Sequence, residues 1–323
     1  YQSRYTGHDH SPYYNSYQKN APYSGQTVLD NLEQLLLAFQ PNLILSPHPA
    51  DEHPDHAATW AFVGAAFAKL SASGKLLPET ALYTYLIHRG DFPIPHGYQA
   101  EALLLPPRPL YQSQHSNWFT YPLTANNEAL KEQTIKAYVS QIRLPIMSSL
   151  LHSFIRKNEL FEEAYIPFVS QKPLDVDLTS LDAWLNQQPI LVNPHRTSLI
   201  GALERSGQVT VIDSYLQRSA IWLRFHIPGF SRKQNQYHVS VVAFSLQESQ
   251  VNREKRINYF STVDTDLPQE DIIRYQDDVI VRMPFVQTQL PDFFFIQVVT
   301  KSRGGTMIDY TVWQPAFLSK AES

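Results

Sequence analysis

The sequence has no cysteine among its 323 residues, and only 17% of them are charged. The absence of cysteine excludes disulfides, thiolate nucleophiles, iron–sulfur clusters and cysteine-ligated zinc sites. Any metal must therefore be held by His, Asp or Glu. Because 43% of the residues are hydrophobic and few are charged, the composition predicts a globular chain and excludes a disordered one.

Basic residues are not in excess either, since the formal net charge is −4. Proteins that bind nucleic acids or anionic membranes carry a basic face or stripe, so neither partner is expected. The sequence also lacks a run of about 18 apolar residues, so we predict no membrane-spanning segment. The first residues have no signal-peptide pattern, which predicts a soluble protein and leaves its compartment, cytoplasmic or exported, open. The oligomeric state is not predicted.

The length predicts two domains, since domains cluster near 100–200 residues. In the first, over residues 1–170, helices and short apolar strands alternate, which predicts an α/β fold: a Rossmann-like, mostly parallel sheet with helices on both faces. The predicted helices are Thr27–Phe39, Ala57–Leu70, Asn127–Ile142 and Ile146–Phe161, and the predicted strands are Leu43–Leu45, Ala81–His88 and Glu101–Leu105.

The second domain, over residues 171–323, contains seven short β-like runs separated by turn signals, which predicts an antiparallel β-sandwich. These runs are 209–216, 220–227, 237–245, 256–263, 279–285, 293–300 and 306–313. The consecutive aromatic residues Phe293, Phe294 and Phe295 must place at least one ring on the outer face of their strand. We expect that ring to contact the first domain or another chain. By analogy, an accessory sandwich of this kind is a candidate carbohydrate-binding module.

The segment Ser46–His56 carries three histidines and three carboxylates between a predicted strand and a predicted helix. Catalytic loops of α/β folds lie at the carboxyl ends of their strands. His53 and His56 are three residues apart at a helix start, so their side chains project from neighbouring sides of the helix. They are candidate metal ligands. The alternative is a solvated, charged turn in which Asp51 or Asp55 caps the helix.

Four segments of the first domain, in this order, resemble one known family. The first resembles the second zinc motif, H-P-D-H, of the PIG-L/LmbE family of zinc-dependent N-acetylglucosamine deacetylases, and the resemblance covers roughly residues 1–165. The four segments are PNLILSPHPADEHPDHAATWAFV, LYTYLIHRGDFP, LKEQTIKAYVSQI and FIRKNELFEEAY.

The resemblance implies a chemical role for each residue of the motif. His56 would be a ligand of Zn²⁺ or another divalent metal. His53 would lie beside the substrate carbonyl as an electrophile or general acid, and a cationic histidine there would stabilise the oxyanion. Asp55 would support catalysis as a nearby or helix-capping acid. A zinc-bound water with a pKa near ~7 would attack the amide of an N-acetylated sugar.

Three further residues are candidate substrate contacts. His88 ends a predicted strand and Arg89 follows it, so they would face the active cleft. Tyr14 lies in an aromatic loop and would stack on the face of a sugar.

The resemblance has one departure. The first motif of the family, an apolar strand followed by His-Pro-Asp-Asp-Glu, supplies two further zinc ligands and the general base, and it is not found upstream of Ser46. We expect that portion to lie outside these 323 residues, since the chain opens on Tyr1 in a loop. The main hypothesis is therefore a zinc-dependent deacetylase of N-acetylated amino sugars. The alternative is an inactive carbohydrate-binding or scaffold protein with a degenerate deacetylase domain.

Overall fold

The computed structural model of the chain describes residues 2–111, 117–192, 207–232, 234–247, 250–285, 291–311 and 313–318. Short 3₁₀ turns lie at Leu181–Trp184, Phe230–Arg232 and Gln269–Asp271. The α-helices are α1 (Gly25–Phe39), α2 (Pro54–Ala72), α3 (Arg108–Tyr111), α4 (Ala125–Ala137), α5 (Val139–Ile142) and α6 (Pro145–His152).

The described strands form two separate sheets. Those of the smaller sheet are β1 (Leu43–Pro47), β2 (Ala81–Tyr85), β3 (Trp118–Pro122) and β4 (Asn158–Glu163). Those of the larger sheet are β5 (Phe168–Gln171), β6 (Leu191–Val192), β7 (Val211–Gln217), β8 (Ala220–His226), β9 (Gln236–Gln247), β10 (Gln250–Phe260), β11 (Ile272–Arg274), β12 (Asp278–Pro284), β13 (Phe293–Lys301), β14 (Met307–Tyr310) and β15 (Gln314–Leu318).

The smaller sheet has four strands in the order β1-β2-β4-β3. β1 and β2 are parallel, with Leu43 opposite Ala81 and Pro47 opposite Tyr85. β4 is antiparallel to both β2 and β3. The chain is therefore of the mixed α/β class, but among the described strands the smaller sheet is not mostly parallel, because one of its three pairings is parallel and two are antiparallel.

Two predicted elements of the smaller sheet are wrong. The predicted strand Glu101–Leu105 lies in turns, and the predicted helix Ile146–Phe161 ends at His152 and gives way to β4. The buried side chain of Asn158 explains the first error. Its amide accepts a hydrogen bond from the N–H of Leu104 at 2.7 Å and donates one to the same residue's carbonyl at 3.1 Å. The Asn158 side chain thus bonds the backbone N–H and C=O of Leu104, which a neighbouring strand would otherwise have paired.

The larger sheet has eleven strands, and its main path runs β10-β9-β13-β15-β5-β7-β8-β12-β11. β5 is parallel to β15 and to β7, and the other described pairings are antiparallel. The sheet curls so that side chains from its two ends share one buried core, which includes Val241, Ile296, Ile221 and Val279. The predicted boundary between residues 170 and 171 falls inside β5.

Helices α1 and α2 join the two sheets. Their apolar residues, among them Leu36 and Ala66, form one buried cluster with Phe293 and Phe317 of the larger sheet, and the ring of Phe295 packs against it. Phe294, between those two rings, points into the core on the other side. The prediction that the three phenylalanines mark an interface with the first half of the chain is confirmed. None of the described helices combines the length and hydrophobicity needed to cross a membrane.

Candidate functional site: a histidine cluster at the carboxyl edge of the smaller sheet

Three histidines meet where the parallel strands β1 and β2 end. His53 and His56 open helix α2, and His88 follows β2 by three residues. The centroids of the three imidazole rings form a nearly regular triangle with sides of 5.0, 5.1 and 5.0 Å. The structure therefore brings together two candidates for chemistry and one candidate substrate contact at the sheet edge where α/β folds place their sites.

A buried carboxylate, that of Asp51, holds the two loops of this cluster together. Its Oδ1 accepts the backbone N–H of His53 at 2.9 Å, and its Oδ2 accepts those of Ile87 and His88 at 3.1 and 3.0 Å. The side chain is fully buried, so these charge-assisted bonds replace its lost hydration. From the sequence, Asp51 is a candidate helix cap only; the structure shows that it also joins the loop after β2 to the start of α2.

The same carboxylate faces the ring of His56. His56 Nδ1 lies 3.0 Å from Asp51 Oδ2, which is an ion-pair distance, although the two groups lack the alignment of a hydrogen bond. A carboxylate beside one imidazole nitrogen orients the ring and leaves the other nitrogen for a metal or a substrate. The arrangement therefore singles out Nε2 of His56 as its reactive atom.

The proton position on His53 follows from helix capping. Its Nδ1 accepts the backbone N–H of Asp55 at 3.2 Å, so this nitrogen carries no proton and His53 acts as the N-cap of α2. The ring proton is then on Nε2, which makes this nitrogen a hydrogen-bond donor. Asp55 itself is exposed in the first helical turn.

Burial and the neighbouring rings affect the charge of His88. Burial lowers the pKa of His88, and positive charge on His56 or His53 would lower it further, while the Asp51 carboxylate opposes both effects. Burial therefore favours the neutral form of the His88 ring. Burial, followed by the charge of Asp51, raises the pKa of Tyr85 at the end of β2.

His48 has a supporting position beneath the cluster. Its Nδ1 accepts the N–H of Ala50 at 2.8 Å, its Nε2 is hydrogen-bonded to Glu162, and its ring stacks on Trp118 at 5.5 Å. Both nitrogens are therefore occupied, and His48 holds the loop instead of binding a ligand. The sequence does not indicate Glu162, because it lies 114 residues from His48, just beyond a predicted helix.

Polar residues also form a row across the smaller sheet below His48. Ser46, Thr84, Glu162 and Trp118 lie opposite one another on successive strands. The hydroxyl of Ser46 and the indole N–H of Trp118 are buried without a hydrogen-bond partner among the described residues. Buried polar groups without a partner are unusual in a core, so this row is a further candidate for contact with a ligand.

The remaining two candidate substrate contacts differ in exposure. Arg89 is buried, and its guanidinium Nε donates to Asp91 Oδ1 at 2.6 Å, which stabilises the turn after His88. Tyr14 lies on the N-terminal loop with its ring 90% exposed. Their roles toward a substrate stay predictions.

The chemistry of the donor groups fits zinc, because neutral imidazole and carboxylate are ligands that Zn²⁺ prefers. The buried Nδ1 of His56 beside a carboxylate supports the ring as one such ligand. However, no three His, Asp or Glu side chains within the described residues are arranged to hold an ion by themselves. His56 thus fits a metal site whose remaining ligands the described residues do not supply.

Comparison with known proteins leaves the family of this chain unassigned. No protein-family model matches the sequence, and no curated protein matches it either.

Proposed function

We propose that this protein is a metal-dependent amide hydrolase of the PIG-L/LmbE type that removes the acetyl group from an N-acetylated amino sugar. The observation that supports this most strongly is the triangle of His53, His56 and His88 beside the buried carboxylate of Asp51. Imidazoles at the carboxyl edge of parallel strands suit metal-assisted hydrolysis better than binding alone.

His56 would hold the metal through Nε2, with Asp51 orienting its ring from the other side. A bound zinc ion supplies a water molecule of lowered pKa that can attack an amide carbonyl. The role of Asp51 is positional, because its carboxylate is already occupied by three backbone N–H groups.

His53 would donate its Nε2 proton toward the carbonyl oxygen of the acetamide as negative charge develops there. Its tautomer is already set by the N–H of Asp55, so the ring needs no rearrangement before it donates. His88, whose ring centroid is 5.1 Å from that of His53, would contact the substrate beside it.

The outer edge of β1 supports a larger sheet in the complete site. Within the described residues β1 pairs with β2 only, and its Leu43 and Leu45 side chains are about half exposed. A further strand at this edge would pair with the backbone of β1, and its carboxyl end would bring additional ligands beside His56. The family resemblance places the H-P-D-D-E motif at such a strand.

The larger sheet would serve as an accessory β-sandwich that supports the catalytic half by packing on α1 and α2. The second candidate function is glycan binding without catalysis, for which the exposed ring of Tyr14 would supply a stacking surface. The two candidates differ in whether the protein turns over substrate.

The test is acetate release from a panel of N-acetylglucosamine glycosides by the full-length protein, before and after chelation and zinc addition. We expect chelation and His56→Ala to abolish release, and zinc to restore it in the wild type only. His96→Ala, at an exposed histidine outside the cluster, is the matched control and should keep full activity. Turnover that resists both chelation and His56→Ala would refute the mechanism, and glycan binding without turnover would establish the second candidate.

A further inference from the structure

An open cleft of about 780 Å³ lies between the N-terminal loop and the first turns of α1 and α2. Its volume is within the ~300–1,000 Å³ of typical small-ligand sites. Asp55 is at one side of the cleft, and Asp55 lies between His53 and His56 in the sequence. The cleft therefore adjoins the histidine cluster and is large enough for one or two sugar units.

The lining of the cleft is polar but nearly uncharged. Seven of the described lining side chains carry a hydroxyl group and two carry an amide, whereas none is Lys, Arg or His. Asp55 is the one charged side chain among them. Such a surface offers hydrogen bonds to a neutral polyol and no counter-charge to an anion.

Several of these groups are held in place before any ligand binds. The Ser24 hydroxyl accepts the N–H of Thr27 at 3.1 Å and is paired with its hydroxyl at 2.8 Å. The hydrogen bond between the Ser24 and Thr27 hydroxyls uses the hydrogen of one of them. The hydrogen of the other hydroxyl can therefore be donated to a ligand. The hydroxyls of Ser11 and Ser16 are paired with each other across the loop.

The base of the cleft includes a glycine. A Cβ atom at Gly25 would lie 3.1 Å from the ring of Phe62, so a side chain there would require that ring to shift by a few tenths of an ångström. Above this base the ring of Tyr17 is 60% exposed and lines the cleft. Exposed aromatic rings stack on the apolar faces of sugars because they bury area at little cost in side-chain entropy.

We propose that this cleft binds a neutral saccharide, namely the part of the substrate that extends beyond the acetylated sugar. Tyr17 would stack on its face, the loop hydroxyls would bond its hydroxyl groups, and Asp55 would accept from two of them. An anionic group would be disfavoured by Asp55. The assignment of this saccharide to a substrate rests on the proposed function, whereas its binding requires no catalysis.

The experiment is calorimetric titration of the full-length, chelator-treated protein with neutral tri-N-acetylchitotriose and, in parallel, with the anionic trisaccharide sialyllactose. We expect the neutral probe to bind and the anionic probe to bind more weakly. Tyr17→Ala should weaken binding of the neutral probe by about 2- to 10-fold. Tyr13→Ala is the matched control, since Tyr13 is 61% exposed on the same loop but does not line the cleft, and it should leave binding unchanged.

A second pair of variants tests the cleft by filling it. Val28→Trp, at a lining residue that is 43% exposed, should abolish binding of the neutral probe. Leu35→Trp, on the same helix at 48% exposure and outside the lining, should not. Thermal unfolding of each variant verifies that it is folded.

The outcomes separate this inference from the proposed function. Binding that depends on Tyr17 and Val28 supports the cleft even if the zinc-loaded protein releases no acetate, in which case only the deacetylase proposal fails. Three outcomes would overturn the proposal that the cleft binds a neutral saccharide, whether or not the protein releases acetate. They are absence of binding, equal losses of affinity in the Tyr13 and Tyr17 variants, and stronger binding of the anionic probe.

Discussion

The two sheets of this protein use buried charge in opposite ways. In the larger sheet, buried carboxylates pair with arginines: Asp213 lies 2.6 Å from Arg224, and Asp271 lies 2.7 Å from Arg282. In the smaller sheet, the buried Asp51 receives backbone N–H groups and faces histidines instead. A carboxylate paired with arginine is neutralised and serves the fold, whereas one that orients imidazoles prepares them for a ligand.

The two sheets also differ in how completely they bury apolar residues. The larger sheet closes around one continuous core, while helices α4, α5 and α6 beside the smaller sheet contain no buried residue. Leu43, Leu45 and Phe119 of the smaller sheet are exposed. The comparison indicates that the larger sheet supplies most of the stability, whereas the smaller sheet carries the candidate site.

The largest expected effect is a loss of stability in the larger sheet. Phe225 is fully buried in its core, so Phe225→Ala should lower the free energy of unfolding by about 3–5 kcal/mol. Phe119→Ala on the exposed β3 should cost less than about 1 kcal/mol. Urea unfolding followed by fluorescence measures both changes. Equal losses would contradict the difference between the sheets.

The next effect separates the two kinds of carboxylate. Asp51→Asn keeps the shape but loses one acceptor for the N–H groups of Ile87 and His88, which should cost about 1–3 kcal/mol of stability. It should also weaken zinc affinity or turnover by about 10- to 100-fold, because His56 loses its orienting partner.

Asp213→Asn is the matched variant in the larger sheet. It should lower the free energy of unfolding by a similar amount, although Arg224 keeps a second carboxylate, that of Asp278, at 3.8 Å. It should leave the zinc affinity unchanged, because Asp213 pairs with Arg224 and not with the histidines of the cluster. Metal titration of both variants decides the point. A loss of zinc affinity in the Asp213 variant would show that the charge pairs of the larger sheet are not merely structural.

The third effect concerns the contact between the sheets. Phe295 packs on Phe62 of α2, with ring centroids 6.3 Å apart, so Phe295→Ala should remove about 1–2 kcal/mol. It should also make the two sheets unfold less cooperatively. The unfolding transitions measured by tryptophan fluorescence and by far-UV circular dichroism should then no longer coincide. Unfolding that stays coincident would mean that the remaining contacts of α1 and α2 suffice to keep the sheets cooperative.

The sequence was informative where local periodicity and tertiary packing agree. Helices α1 and α2 and strands β1, β2, β8 and β13 were predicted close to their observed bounds, because each carries a full apolar face. The predicted helix Ile146–Phe161 includes the first residues of β4, because Glu and Leu favour helices. Pairing with β2 and β3 overrides that preference.

Within the candidate site, local and distant residues behaved differently. His53 and His56 could be proposed from the sequence, because they share one helix start directly after a predicted strand and lie in the H-P-D-H segment. Glu162 could not, because it meets His48 only through strand order. The role of Asp51 was missed for the same reason: its partners Ile87 and His88 belong to the next strand's loop.

The smallest expected effect is a dependence of stability on pH that both halves share. Burial lowers the pKa of His88 in the smaller sheet and of His238 in the larger one, where the charge of Lys301 lowers it further. A folded-state pKa below the unfolded value of about 6.5 favours the neutral ring. The stability that each histidine contributes is therefore present above that pH and is lost as the pH falls below it.

Urea unfolding of the wild type, His88→Gln and His238→Gln at about pH 7.5 and pH 5.5 measures this dependence. We expect the free energy of unfolding to fall on acidification in all three proteins, and to fall less in each variant than in the wild type. If only the His238 variant shows the smaller fall, then His88 gains a compensating interaction when protonated, for which Asp51 is the nearby carboxylate. That result would mean that His88 can be protonated without loss of stability, whereas protonation of His238 destabilises the larger sheet.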